Sequence, residues 1–235
     1  MVFGGIQKVT LLDYPGETAC TIFTVGCDFA CPFCQNASLL NERQVDGLGQ
    51  EDVLCFLATR RGLLDGVCIS GGEPLLQDEL EFFIDEIKKA GFLVKIDTNG
   101  SDPKKLKRLL ESGKIDYVAM DIKNSPEKYA RTIGLPEYDI TPIDESINLL
   151  LTWANLNDSK ASCEFRTTVV KEYHTEDDLL SIARWISGTQ KYFLQSFVDS
   201  DGVKSKGLHS YSNNEMQQII KTVKTVLPTA ELRGM

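Results

Sequence analysis

The stretch Val67-Cys68-Ile69-Ser70-Gly71-Gly72-Glu73-Pro74 decides the fold, because a short apolar run ends there at two glycines and a proline. Behind it, apolar side chains recur at the i, i+3, i+4, i+7 spacing of one helix face, at Leu80, Phe83, Ile84 and Ile87. The stretch therefore predicts one buried strand, a tight turn and one amphipathic helix.

The same pairing of strand and helix recurs on both sides of this stretch. Six predicted strands cover residues 19–25, 67–70, 92–97, 115–120, 163–170 and 192–197, and helices with start signals such as Asp102-Pro103 follow them. Strands that alternate with helices imply right-handed crossovers and a parallel sheet. Because six units are too few to close a complete barrel, we predict an α/β fold of the partial (β/α)6 barrel type. A doubly wound open sheet is the alternative.

Composition limits the classes of protein to which the chain can belong. Its 235 residues are 42% hydrophobic and 25% charged, which predicts a single domain over residues 1–235 with short N-terminal and C-terminal extensions. No apolar run approaches the roughly 20 residues that span a bilayer, so we expect a cytoplasmic protein with no membrane partner. The net charge of −9 disfavours binding along nucleic acid, which relies on clustered Lys and Arg.

Three of the seven cysteines lie on one short loop after the first predicted strand, in the run Cys27-Asp28-Phe29-Ala30-Cys31-Pro32-Phe33-Cys34. Three thiolates on one loop can hold three corners of a cubane iron-sulfur cluster, and no fourth cysteine stands nearby for the last iron. We expect the other four cysteines to be small buried hydrophobic residues. They are Cys20, Cys55, Cys68 and Cys163.

A structural zinc site is the alternative for the cysteine loop. Zinc normally takes a fourth Cys or His to complete its tetrahedron. The two histidines, His174 and His209, lie far along the chain, and we expect both at the surface or in loops. The open-iron cluster is therefore the leading hypothesis.

Polar residues follow the predicted strands where each strand ends. Glu73 follows the second strand, Asp97-Thr98-Asn99-Gly100 the third and Asp121-Ile122-Lys123 the fourth, while Arg166 lies within the fifth. Active sites of parallel α/β folds gather at the carboxyl ends of the strands. We therefore expect these residues to meet the cysteine loop at one edge of the sheet.

The spacing of the three cysteines, with Phe33 before the last one and Gly71-Gly72-Glu73 after the second strand, resembles the signature of the radical S-adenosylmethionine (SAM) superfamily. Over nearly its whole length the chain is similar to activating enzymes of glycyl-radical proteins, through the runs at 70–74, 97–100, 121–123 and 165–168. Residues 7–16 resemble in particular anaerobic ribonucleoside-triphosphate reductase activating proteins. The resemblance implies the radical SAM type of partial barrel.

The resemblance also implies how the two cofactors are held. Cys27, Cys31 and Cys34 would hold a 4Fe-4S cluster, and its fourth iron would chelate the amine and carboxylate of SAM. Glycine at 71 and 72 would let the backbone approach SAM closely. Glu73 would accept hydrogen bonds from the amine of SAM.

Further contacts with SAM would come from the other strand ends. Lys123 and Arg166 would face the carboxylate of SAM, and Asp97 with Asp121 would bind the ribose or a monovalent cation beside the carboxylate. The alternative for all four is a structural ion pair. Asn99 would serve the ribose or its own turn, and Phe33 would lie beside the adenine or simply pack.

The implied activity is reductive cleavage of SAM to methionine and a 5′-deoxyadenosyl radical, which takes a hydrogen atom from a glycine Cα of a partner enzyme. The implied partners are a glycyl-radical enzyme, with anaerobic ribonucleotide reductase the first candidate, and a reductant such as flavodoxin or ferredoxin. The runner-up is a radical SAM enzyme that acts on a small molecule, such as a 7-carboxy-7-deazaguanine synthase-like enzyme. A non-catalytic zinc module is the third possibility.

Two segments carry no predicted role. Residues 199–206 are expected to be an ordinary polar loop, and residues 232–235 are expected to be a tail.

Overall fold

The structure is a computed structural model that describes residues 1–40, 47–156 and 162–234. Within these ranges nine strands form one sheet. They are β1 (Val2–Thr10), β2 (Ala19–Thr24), β3 (Leu48–Gly49), β4 (Gly66–Gly71), β5 (Leu93–Thr98), β6 (Tyr117–Asp121), β7 (Ser162–Val169), β8 (Tyr192–Ser196) and β9 (Ala230–Arg233).

The sheet has the order β3-β1-β2-β4-β5-β6-β7-β8-β9. From β2 to β9 every neighbouring pair is parallel and the strands follow chain order. With right-handed crossovers, an order that never reverses puts all the connecting helices on one face of the sheet. This order confirms the partial barrel and rejects the doubly wound alternative, whose strand order reverses at a switch point.

Seven helices connect the strands in the described ranges. They are α1 (Gln50–Ala58), α2 (Leu80–Lys89), α3 (Pro103–Glu111), α4 (Tyr129–Thr132), α5 (Thr141–Leu156), α6 (Glu176–Trp185) and α7 (Asn213–Lys224). The residues that the sequence predicts at helix starts do cap the helices. The Asp102 carboxylate accepts a hydrogen bond from the backbone N–H of Lys105 at 2.9 Å, and α6 and α7 begin with capping boxes.

The six predicted strands agree with the observed ones to within two residues at each end. Three strands were not predicted. β1 pairs antiparallel with β2 and with the short β3, and β9 adds a seventh parallel strand beside β8. The expectation that residues 232–235 form a tail is therefore wrong for Leu232 and Arg233, which belong to β9.

The core lies between the sheet and its helices and is built from aliphatic and aromatic side chains. Cys20, Cys68 and Cys163 are buried as predicted. Cys55 is exposed, so its predicted burial is wrong. The buried residues of α1 are Val53 and Leu57, four positions apart on one face, and Cys55 between them points away. Among the described helices, none combines the length and apolar character that crossing a membrane requires.

Candidate active site

A cavity of about 230 Å³ opens at the carboxyl ends of the parallel strands. All the predicted site residues except Glu73 line it, namely Cys27, Cys31, Phe33, Cys34, Gly71, Gly72, Asp97, Asn99, Asp121, Lys123 and Arg166. The lining also includes side chains that were not predicted, among them Asn36, Thr168 and Gln195. Residues from six separate stretches of sequence thus meet as the parallel topology predicts.

The three cysteines face this cavity from one loop. Burial raises the pKa of the Cys27 thiol to about 12 and that of Cys31 to about 11, so both are protonated without a metal. Metal ligation requires thiolates, and iron binding would release these protons. Within the described ranges no three Cys, His, Asp or Glu side chains are placed to hold a single metal ion. Three sulfur donors on one loop, with no histidine and no fourth cysteine among the residues that line the cavity, fit an iron-sulfur cluster better than a closed zinc site.

The cysteine loop is held from two sides. On one side the backbone N–H of Ala30 donates to the carbonyl of Ile133 at 2.9 Å. On the other side lies the segment of residues 198–207, here called the strap. In the strap, the N–H of Lys204 donates to the carbonyl of Cys34 at 3.0 Å, and the N–H of Ser205 donates to the carbonyl of Pro32 at 2.9 Å. Residues 199–206 form the polar loop that the sequence predicts. This loop also supports the cysteine loop directly, which was not predicted.

Two glycines form the turn after β4. A Cβ on Gly71 would lie 2.4 Å from the backbone nitrogen of Thr24, and one on Gly72 would lie 1.9 Å from the carbonyl oxygen of Gly26. Gly71 also has φ +114°, a value that L side chains rarely adopt. Both positions therefore require glycine because two backbones touch there. The close approach of a ligand, which the sequence predicts, would be a second reason.

Glu73 lies just behind the cavity wall. It is buried, and its carboxylate accepts hydrogen bonds from the Thr98 hydroxyl (2.7 Å) and from the N–H groups of Leu75 (3.0 Å) and Asn99 (2.7 Å). Burial raises the pKa of Glu73 to about 7, although these donors pull it down. In this structure Glu73 ties the β4 turn to the end of β5, and its contact with the amine of SAM stays a prediction.

Asn99 and Phe33 both line the cavity and both have protein partners. The Asn99 amide donates to the carboxylate of Asp28 at 2.8 Å, which joins the end of β5 to the cysteine loop. The Phe33 ring packs 5.6 Å from the ring of Tyr173 and 6.2 Å from that of His174. The adenine and ribose contacts predicted for Phe33 and Asn99 remain predictions.

At the ends of β5, β6 and β7, five charged side chains form a continuous row. Arg166 joins both aspartates, through Nε to Asp121 at 2.9 Å and through Nη1 to Asp97 at 3.3 Å. Lys95 pairs with Asp97 at one end of the row, and Lys123 pairs with Asp121 at 3.1 Å at the other. The ion pairs considered as an alternative do form. The row has three cations and two anions. Lys123, Arg166 and the two aspartates line the cavity, whereas Lys95 is buried outside its lining.

The row keeps its charges despite burial. Burial alone would raise the pKa of Asp97 and of Asp121, but Arg166 and the neighbouring lysines outweigh it and hold both values below the usual range. Burial likewise disfavours a charged Lys123, and Asp121 with the cysteines reverses this and raises its pKa. All these groups are therefore ionised at neutral pH.

The histidines do not complete a metal site. His174 is buried, with Nε2 2.8 Å from the carbonyl oxygen of Lys123 and Nδ1 3.1 Å from the backbone nitrogen of Val170. The expectation of a surface or loop position is confirmed for both histidines: His174 lies, buried, in the loop between β7 and α6, and His209 is exposed and contacts Glu172. His174 supports the backbone of Lys123, a role that no local sequence pattern indicates.

The fold is a partial parallel barrel, and its strand ends bring three cysteines and a set of buried charges to one cavity. This arrangement defines a class of cofactor-dependent barrel enzymes. The chain belongs to the radical SAM superfamily, whose family model matches residues 21–186. Membership implies a 4Fe-4S cluster and SAM as cofactors, and the residues around this cavity fit both groups. The enzyme class also excludes the non-catalytic zinc module.

Two relatives show which enzymes within the superfamily this chain resembles. The chain is 32% identical over 97% of its length, and 94% of the relative's, to a Methanocaldococcus jannaschii protein named "Putative glycyl-radical enzyme activating enzyme". It is 28% identical to the pyruvate formate-lyase-activating enzyme of Staphylococcus aureus, over 77% of this chain and 74% of that one. The similarity to glycyl-radical activating enzymes predicted from the motifs is confirmed.

A solved structure shares the fold. The structure of Streptococcus suis SuiB bound to S-adenosylmethionine superposes with a TM-score of 0.68 at 14% identity. The match covers 90% of this chain and 49% of SuiB, so this chain spans about half the length of that protein. At this level of identity the similarity shows the radical SAM fold alone.

Proposed function

We propose that this enzyme activates a glycyl-radical protein, with anaerobic ribonucleoside-triphosphate reductase as the first candidate partner. The reaction would consume SAM and one electron from a small redox protein such as flavodoxin or ferredoxin. It would yield methionine, 5′-deoxyadenosine and a radical on one glycine Cα of the partner.

Cys27, Cys31 and Cys34 would hold the 4Fe-4S cluster from one side of the cavity. When bound, the cluster supplies the electron that breaks the bond between the sulfur and C5′ of SAM. Three protein ligands leave one iron for the amine and carboxylate of SAM. The protein's own contribution is to fix the position of SAM and to exclude water.

The row of charges would bind the rest of SAM. An ammonium has three N–H donors, so Lys123 can hold a carboxylate of SAM while it keeps Asp121. Arg166 is anchored by two aspartates and presents a fixed donor fork. Asp97 and Asp121 would neutralise these cations and bind the ribose or a monovalent cation beside the SAM carboxylate.

One observation carries the proposal: the three cysteines line one cavity at the strand ends together with the paired charges of Lys123, Arg166, Asp97 and Asp121. This arrangement suits a ligand whose amine and carboxylate chelate an iron while the same carboxylate contacts a cation of the protein. The identity of the partner as a glycyl-radical enzyme is supported by the activating-enzyme relatives.

Anaerobic reconstitution followed by two assays tests the proposal. With dithionite and SAM the enzyme should form 5′-deoxyadenosine, and with the candidate reductase added it should give the electron paramagnetic resonance doublet of a glycyl radical. Cys31→Ala should abolish both signals. Cys55→Ala, which removes an exposed cysteine outside the cavity, should keep both.

The two assays separate the competing functions. Formation of 5′-deoxyadenosine without a doublet on any glycyl-radical partner would contradict the activase and favour a small-molecule substrate. Absence of both products from a preparation with a full complement of iron and sulfide would contradict the radical SAM chemistry itself.

A further inference from the structure

The unpredicted strand β9 places an arginine beside the cavity wall. Arg233 is the register partner of Gln195 on β8, and Gln195 lines the cavity. The Arg233 guanidinium lies 3.6 Å from the ring centroid of Phe193 and reaches across β8 to β7. There it makes a bidentate ion pair with Glu164, with N–O distances of 2.6 and 2.8 Å.

Glu164 depends on this arginine for its charge. Its side chain is only 1% exposed, and its one other described hydrogen bond comes from the hydroxyl of Tyr117 at 2.7 Å. Burial would raise the pKa of Glu164, but Arg233 and the more distant Arg166 lower it. A buried carboxylate that loses its ion-pair partner seeks another cation or takes up a proton.

Arg166 is a second cation whose charge acts on Glu164. Glu164 and Arg166 are two residues apart on β7, so their side chains lie on the same face of the sheet. Arg166 is held in the cavity by Asp97 and Asp121. An unpaired Glu164 would compete with these aspartates and draw the guanidinium of Arg166 down the strand, away from the cavity.

We infer that Arg233 is a positioning residue for SAM binding, because by neutralising Glu164 it keeps Arg166 directed at the carboxylate of SAM. Arg233 touches no ligand itself and acts through two side chains on the neighbouring strands. The inference rests on the proposed function, in which Arg166 binds SAM.

Three variants test the inference in the reconstituted full-length enzyme. Arg233→Met should raise the Kd for SAM by about tenfold, within the range for residues that share one network. The KM for SAM should rise with the Kd. Arg233→Lys, which keeps the charge but loses the bidentate geometry, should raise the Kd by a smaller factor and serves if Arg233→Met does not fold. Glu164→Gln combined with Arg233→Met removes the competing charge and should restore the Kd to within about twofold of wild type.

The rescue distinguishes positioning from simple structural support. If the ion pair only stabilised the fold, the double variant would bind SAM no better than Arg233→Met. That result, or unchanged SAM affinity in both arginine variants, would overturn the inference. Arg108→Met, which breaks an exposed pair with Glu81, is the matched control and should leave the Kd unchanged. Failure of the proposed function is recognised separately, because the wild-type enzyme would then not bind or cleave SAM.

Discussion

At the scale of single residues, two backbones of the site approach each other closely. Gly72 lies against the carbonyl of Gly26, which immediately precedes the first cysteine, so the turn after β4 and the start of the cysteine loop support each other. The predicted sequence motif Gly-Gly-Glu therefore has a packing cause that is independent of any ligand.

Gly72→Ala should lower the free energy of unfolding by about 1–3 kcal/mol, because the added Cβ would overlap the Gly26 carbonyl and force the backbones apart. Chemical denaturation of the metal-free protein measures this directly. Gly5→Ala is the matched control, since a Cβ on Gly5 has no neighbour within 4 Å. Equal stability of the two variants would contradict the proposed packing.

His174 should make stability depend on pH. Burial lowers its pKa from the ordinary value of 6.5, so the unfolded chain binds a proton that the folded chain does not. The free energy of unfolding should therefore fall as the pH drops below about 6.5, with a slope of at most about 1.4 kcal/mol per pH unit from this group. Denaturation at a series of pH values measures the slope.

A His174→Asn variant should lose this component of the pH dependence, whereas the exposed His209→Gln should keep it. If both variants retained the wild-type slope between pH 7 and pH 5.5, the buried neutral state of His174 would be wrong.

His174 also shows why some supporting residues cannot be predicted from the sequence. Its partners, the carbonyl of Lys123 and the N–H of Val170, are backbone groups with no sequence signature.

At the scale of elements, periodicity and start signals predicted the strands and helices that build the barrel. The strands that were missed lack such signals. β1 contains Gly4-Gly5 and a polar centre, β3 has two residues, and β9 has only four. The short edge strands β3 and β9 form because a longer neighbour offers unpaired backbone groups, and their own sequences carry little preference.

The strap shows that local sequence also fails to predict the long-range contacts of a loop. Its hydrogen bonds join residues about 170 positions apart in the chain, as between Lys204 and Cys34. Such contacts arise only once the barrel brings the end of β8 beside the end of β2. Local composition could predict a polar loop at 199–206, but not its function as a support.

Ser205→Pro should weaken retention of the cluster, because proline removes the N–H that donates to the carbonyl of Pro32. One lost hydrogen bond costs about 1 kcal/mol, which corresponds to a roughly fivefold faster loss of iron. Iron remaining after timed exposure to a chelator measures this. Ser205→Ala keeps the N–H and should behave as wild type; equal rates in the two variants would show that the strap does not support the cluster.

At the scale of the whole molecule, the topology explains why the predicted site residues meet at one cavity. Parallel strands in chain order bring their carboxyl ends to one edge, so residues that follow different strands had to meet there. Glu73 is the exception, because its side chain turns away from the cavity to bind Thr98 and Asn99. The direction of a side chain depends on its partners and cannot be read from its position after a strand.

At the same scale, the charges of the site are paired with one another although the chain as a whole is acidic. A net charge of −9 coexists with a cavity lined by two cations, Lys123 and Arg166, and two anions, Asp97 and Asp121. Arg166 on β7 joins both aspartates, and Arg233 on β9 pairs with the buried Glu164.

In the proposed enzyme, three cysteines hold a cluster with one iron open to SAM. Electron paramagnetic resonance of the anaerobically reconstituted, reduced enzyme, recorded with and without SAM, tests it most directly. We expect one 4Fe-4S signal per chain that changes when SAM is added, disappears in Cys31→Ala and persists in Cys55→Ala. A cluster signal that is identical with and without saturating SAM would mean that every iron is already ligated by the protein, and would contradict the account.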